Sequence, residues 1–122
     1  MRQLLLVGLG GGMGSMIRYL IQRWTTNHFL QSFPWGTFGV NVIGCLLIGL
    51  FWGISFKGFE NNEQWKLLLM TGFCGGFTTF SAFTLEGIGL IREERYAVFV
   101  GYLAASVAIG LLATFLGMKL VR

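Results

Sequence analysis

Between Lys66 and Glu86 the chain runs for 19 residues, Leu67 to Leu85, without a charge, and between Arg95 and Lys119 for 23, Tyr96 to Met118. A run of 22, Trp35 to Phe56, follows Pro34, a residue suited to a helix start. A helix rises about 1.5 Å per residue, so about 20 residues cross a hydrocarbon core of about 30 Å. These three runs are therefore expected to be membrane spans. The first block, Leu4 to Ile17, reaches crossing length only when Arg18, Tyr19, Leu20 and Ile21 continue the helix toward the interface. Composition agrees: 54% of residues are hydrophobic and only 11% charged, against roughly 25% charged in an ordinary soluble domain. A water-soluble enzyme, a disordered tail and a nucleic-acid module are excluded, since the nine basic residues form no stripe.

The expected molecule is a single all-α membrane domain over 1–122, with spans at about 3–22, 35–56, 66–91 and 96–119. Trp24, Trp35, Trp65 and Tyr96 fall at the proposed span ends, where aromatic belts sit. A signal peptide is the competing reading of the first block. Glycines at 8, 10, 11, 12 and 14 make a poor apolar region for one, and there is no A-x-A site. The N-terminus, second loop and C-terminus carry Arg2, Lys57, Lys66, Lys119 and Arg122, and the opposite side Arg18, Arg23, Arg92 and Arg95. Five against four is no positive-inside bias, so insertion in both orientations, giving an antiparallel dimer, stays open beside a single orientation. Four helices fill their own centre, so a polar route is expected between subunits. Small-xxx-small pairs at Gly8/Gly12, Gly10/Gly14, Gly49/Gly53 and Gly72/Gly76 suit close helix contact, chiefly within one subunit.

Catalytic chemistry is scarce. There is no Asp, the single His28 lies in a polar segment, and Cys45 and Cys74 fall inside spans without a local partner, so metal clusters and hydrolytic triads are unavailable. The third span is different. Its middle, Gly72-Phe73-Cys74-Gly75-Gly76-Phe77-Thr78-Thr79-Phe80-Ser81, places adjacent glycines and threonines near mid-bilayer, where they weaken a helix. Unwound backbone at that depth must line a cavity or be buried, and its carbonyls can bind cations. Asn41 brings an amide into the second span; Tyr102, Ser106 and Thr114 set hydroxyls on one side of the fourth. A file of donors without a mid-depth acid suits an anion. Phe80 and Phe83 share a helix face and could present electropositive ring edges, although phenylalanines in a span are ordinarily packing residues.

Three segments carry a resemblance. They are Gly11-Gly12-Met13-Gly14-Ser15-Met16-Ile17-Arg18-Tyr19, Pro34-Trp35-Gly36-Thr37-Phe38-Gly39-Val40-Asn41-Val42-Ile43-Gly44, and Gly72 through Thr84-Leu85-Glu86. In this order they resemble the signatures of the CrcB/Fluc fluoride channels, over nearly the whole chain. Ala82 departs from the pattern, in a place where threonine is common. The resemblance implies an antiparallel dual-topology homodimer in the bacterial inner membrane. It would carry two fluoride pores, export fluoride passively, and hold one structural sodium ion at the dimer interface. It further implies that the backbone carbonyls of Gly75 and Thr78 hold that sodium. Asn41, Phe80, Phe83, Ser81, Tyr102, Ser106 and Thr114 would line the pore, with Arg18 drawing anions to a vestibule; Glu86 would gate or brace. The alternative is a small dual-topology proton-coupled exporter of cations or drugs. Such proteins resemble one another in carrying an acid in the first span, and here there is none. A structural subunit of a larger membrane complex would explain the glycine pairs but not the Thr-Thr-Phe-Ser centre.

Overall fold

The computed structural model describes residues 1–29, 32–54 and 63–121. Ser55, Phe56, Lys57 and Arg122, which entered the second span and the charge count, lie outside the described residues. Among the described residues there is no strand, and four helical segments are long and apolar enough to cross a membrane. This is a multi-pass membrane protein.

Helix α1 spans Arg2–His28 and runs past its expected end. The extension is held by side chains: Thr25 and Thr26 each donate a hydroxyl to the Gln22 carbonyl at 2.9 and 2.8 Å, and Trp24 stacks on His28. Helix α2 spans Trp35–Ile54. The third span, Glu63–Arg92, is composite. A turn α3 (Glu63–Trp65) leads into a π-helix, Lys66–Cys74, then a short turn α4 (Gly75–Phe77). Two extended residues follow, and α5 (Phe80–Arg92) completes the crossing. Glu94, with φ 59°, turns the chain into α6, Tyr96–Leu120.

Backbone contact between helices decides which elements pair. A Cβ on Gly10 would lie 2.2 Å from the Leu68 carbonyl oxygen, and one on Gly14 2.3 Å from that of Phe73. A Cβ on Gly76 would lie 2.3 Å from the Gly11 oxygen. Only hydrogen fits at these places, so α1 and the first half of the third span touch main chain to main chain. On the other side of the molecule, Gly49 and Gly117 bring α2 and α6 together in the same way. The pairs Gly10/Gly14, Gly72/Gly76 and Gly49/Gly53 thus pack inside the subunit, whereas Gly8 and Gly12 meet nothing within 4 Å.

This packing confines the expected break to the threonines. Gly75 and Gly76 are helical, and the chain opens two residues later, at Thr78 (φ −85°, ψ 155°) and Thr79 (φ −148°, ψ 118°). Glycine's low helix propensity is overridden because Gly76 must be a glycine in a helix to lie against Gly11. The π-helix, which no residue pattern announced, lies along the same contact, a setting in which such distortions recur near functional sites.

Candidate functional site

The break supplies the site's chemistry because it diverts three hydrogen bonds from their helical partners. In a continuous helix Thr79 N–H would donate to the Gly75 carbonyl. It donates instead to Asn41 Oδ1 at 2.8 Å, while Asn41 Nδ2 donates to the Thr79 carbonyl at 3.0 Å. One side-chain amide on α2 therefore satisfies both polar groups of an extended residue at membrane depth, where each unsatisfied group costs several kcal/mol. Ala82 N–H, the ordinary donor to the Thr78 carbonyl, goes to Thr79 Oγ1 at 3.2 Å, so Thr79 is the N-cap of α5. The Thr78 hydroxyl bonds back to the Cys74 carbonyl at 2.8 Å. The Gly76 carbonyl, whose helical donor would be Phe80 N–H, accepts from Arg18 Nε at 3.0 Å, with Ser15 Oγ at 3.5 Å.

Two consequences follow. The carbonyls of Gly75 and Thr78 both lose their helical donors, and Gly75 faces open space with nothing within 4 Å of its missing Cβ. Beyond the break, the N-terminus of α5 collects free peptide N–H groups and the positive end of the helix dipole. One interruption therefore offers oxygen acceptors on its first side and N–H donors on its second.

The aromatic and hydroxyl groups gather on the second side. Phe80 is 76% exposed, its ring 5.8 Å from that of Phe83. Phe83 in turn lies 5.0 Å from Tyr102, which Phe33 approaches edge-on at 5.3 Å. Tyr102 is buried, and its hydroxyl and that of Ser106 one turn on are buried without a hydrogen-bond partner among the described residues. Unpaired hydroxyls in such surroundings are costly, and each retains an O–H free to donate. An open cleft of about 520 Å³ connects Asn41, Gly75, Thr78, Thr79, Phe80, Phe83 and Ser106. Ser81 sits in the first turn of α5 with its Oγ 3.3 Å from that of Thr79. Thr114 stands apart: its hydroxyl donates to the Cys45 carbonyl at 3.0 Å, joining α6 to α2.

A second cavity, of about 490 Å³, lies toward the other end of α5 and includes Gln22, Thr37, Glu86 and Arg95. Gln22 Nε2 donates to Thr37 Oγ1 at 3.1 Å, and the Thr37 hydroxyl donates to the Glu86 carboxylate. This file ties α1, α2 and α5. Thr37, the buried polar residue of α2, was not singled out from the sequence, and neither were Gln22, Ser15 or the capping role of Thr79. The Thr79 cap had a local signal, a threonine immediately before an apolar helix; the others depend on partners far along the chain.

The family model described as "CrcB-like protein, Camphor Resistance (CrcB)" matches residues 5–118. The chain belongs to the CrcB family. Similar CrcB relatives span it almost end to end. A protein of Rhizobium etli is 46% identical over 100% of this chain and 98% of its own length. One of Gloeothece citriformis is 47% identical over 100% and 98%, and one of Leptospira interrogans 42% identical over 99% and 95%. Each of the three is named a fluoride-specific ion channel FluC. The break, with Asn41, Arg18 and the paired phenylalanines around it, falls within the part of the chain that the CrcB model covers.

Proposed function

We propose that this chain is a fluoride-selective passive ion channel and not an enzyme, working as an antiparallel, dual-topology homodimer in a bacterial inner membrane with two pores. The observation that carries this reading is the pair of buried, unpartnered hydroxyls of Tyr102 and Ser106, beside the Phe80 and Phe83 rings and the amino end of α5. These groups are donors, and a donor file without a carboxylate among its lining residues suits an anion. The FluC names of the relatives support fluoride as that anion.

Selectivity follows from size and hydration. Fluoride is small and strongly hydrated, so a narrow route must replace its water with hydroxyl, amide and ring-edge donors; chloride is too large for the closest of these contacts. In this reading Asn41 offers its remaining N–H, the one not used on Thr79, and Ser81, Tyr102 and Ser106 offer hydroxyls. Thr114 contributes an oxygen dipole at the far end of the file, its proton being committed to Cys45. Phe80 and Phe83 provide ring edges, which hold an anion loosely enough to release it. Arg18 adds positive charge that raises the anion concentration at a vestibule.

The family's structural sodium ion fits this chain. The carbonyls of Gly75 and Thr78 are the two whose helical donors have gone to Asn41 and Thr79, and Gly75 faces outward, toward where a second subunit would stand. Together with their counterparts from that subunit they would hold the ion, which when bound supplies the positive charge that lets carbonyl ends of two half-helices approach.

The test is ion efflux from liposomes containing only the purified protein, loaded with fluoride or chloride and with valinomycin to carry potassium. Rapid loss of fluoride with chloride retained is the expected result. Retention of both anions by well-folded dimers would reject the channel and redirect attention to Glu86 and proton-coupled export of cations.

A further inference from the structure

The Gly76 carbonyl ends the first half of the third span, and it is the acceptor on which a continuous helix would close by taking Phe80 N–H. It is occupied instead by Arg18 Nε at 3.0 Å, with the Ser15 hydroxyl from the preceding turn of α1 at 3.5 Å. The register is set by backbone: Gly76 lies against Gly11, with no room for a Cβ between them. Arg18 is half-buried at this contact and comes from a different helix than the other brace, Asn41, which takes Thr79 N–H. Two of the groups that would rebuild the helix across the break are thus already engaged from other spans, one by α1 and one by α2.

We propose that Arg18 is a positioning residue whose Nε–H, rather than its charge, keeps the third span broken by occupying the Gly76 carbonyl. The chemistry favours this division of labour. Nε lies in the guanidinium plane and is a single directed donor, and a lone carbonyl at this depth must be paired by something. With Gly76 capped by α1, its carbonyl is withdrawn from the acceptors the break offers, whereas those of Gly75 and Thr78, residues that line the cleft, have lost their helical donors. Arg18 thereby decides how many oxygens the break presents. The inference rests on reading the break as the ion site, but the state of the break can be measured without any ion flux.

Glutamine places its Nε2 the same number of bonds from Cα as arginine places Nε, keeping the donor while removing the charge. The full chain, labelled at threonine and reconstituted in bilayers, would be examined by solid-state NMR, in which threonine 13Cα and 13Cβ shifts separate extended from helical backbone. In Arg18→Gln the Thr78 and Thr79 shifts stay extended; in Arg18→Ala those of Thr79 move toward helical. Fluoride efflux by Arg18→Gln exceeds that by Arg18→Ala by about tenfold, the ratio expected for one buried hydrogen bond. Extended Thr79 shifts in Arg18→Ala overturn the proposal, as does equal efflux from the two variants. Should Arg18→Ala not fold, helical Thr79 shifts in Arg18→Gln still overturn it. Shifts that respond as expected in a protein that conducts no fluoride support this role for Arg18 while removing the channel reading, so the two failures are told apart.

Discussion

The two halves of the third span pack by opposite rules. Before Thr78 the backbone itself is the packing surface: Gly76 lies against α1 with no space for a methyl group, Gly72 packs tightly on the same helix, and Cys74 and Phe77 are buried. After Thr79 the helix is loosely held, with Phe80, Ser81, Thr84 and Leu85 all exposed. The first half is built to stay put, and the second keeps its donors and rings available. In the proposed channel such an arrangement separates a rigid part of the span, whose carbonyls would hold the ion, from a part left open to the passing anion.

The largest expected effect comes from attacking the rigid half. A Cβ at position 14 would lie 2.3 Å from the Phe73 carbonyl oxygen and 2.8 Å from Phe77 N. Gly14→Val should cost well over about 3 kcal/mol and leave no monodisperse protein in detergent size-exclusion chromatography. A well-behaved variant would show that this contact is not what anchors the span. Next comes Asn41→Asp, which keeps an acceptor for Thr79 N–H, loses the donor to its carbonyl, and brings a negative charge into the proposed anion route. Fluoride efflux should fall about a hundredfold, in line with a charge at mid-membrane; normal conduction would remove Asn41 from the route. On the open half, Phe80→Ile and Phe83→Ile keep bulk and remove ring edges. Each should lower efflux about tenfold or more, equivalent to about 1.4 kcal/mol, with chromatographic behaviour intact. Unchanged flux in both would mean the rings only pack. The smallest effect is expected at Gly12, which meets nothing within 4 Å although it lies only two residues from Gly14. Gly12→Ala should shift thermal stability by no more than about 1 kcal/mol, upward if helix propensity dominates. A clear loss would place a second copy of the chain on this face.

How much of this was legible in the sequence depends on how local the cause is. The spans were readable because a charge-free run of crossing length is a property of one segment, and the extended α1 escaped because the Thr25, Thr26 and His28 side chains prolong it beyond the apolar block. A break in the third span at Thr-Thr-Phe-Ser was readable from the sequence, but that the two glycines before it stay helical was not. Propensity points to the glycines, and only the approach of Gly11, 65 residues away in sequence, shows why they remain helical. Asn41 was readable as an amide that needed a reason. That the reason includes both polar atoms of Thr79 depends on a contact between two spans. The hydroxyl file shows the same limit. Spacing puts Tyr102, Ser106 and Thr114 on one side of α6, yet Thr114 meets a carbonyl of α2 while the other two meet none among the described residues, and helical spacing carries no information about the neighbour. Thr37 and Glu86 find each other across 49 positions for the same reason.

The two side chains that brace the break, Arg18 and Asn41, both precede it in the chain. Synthesis runs from the N-terminus, so α1 and α2 leave the ribosome before Thr78 and Thr79 do. A span carrying an extended, polar centre is a poor candidate for lateral release into lipid by itself. Here its partners are made in advance, and the order of the helices along the gene becomes part of how the protein reaches the membrane intact. A permuted chain that began at α3 would present the same contacts in the finished fold, but the brace would no longer be waiting when the break emerged.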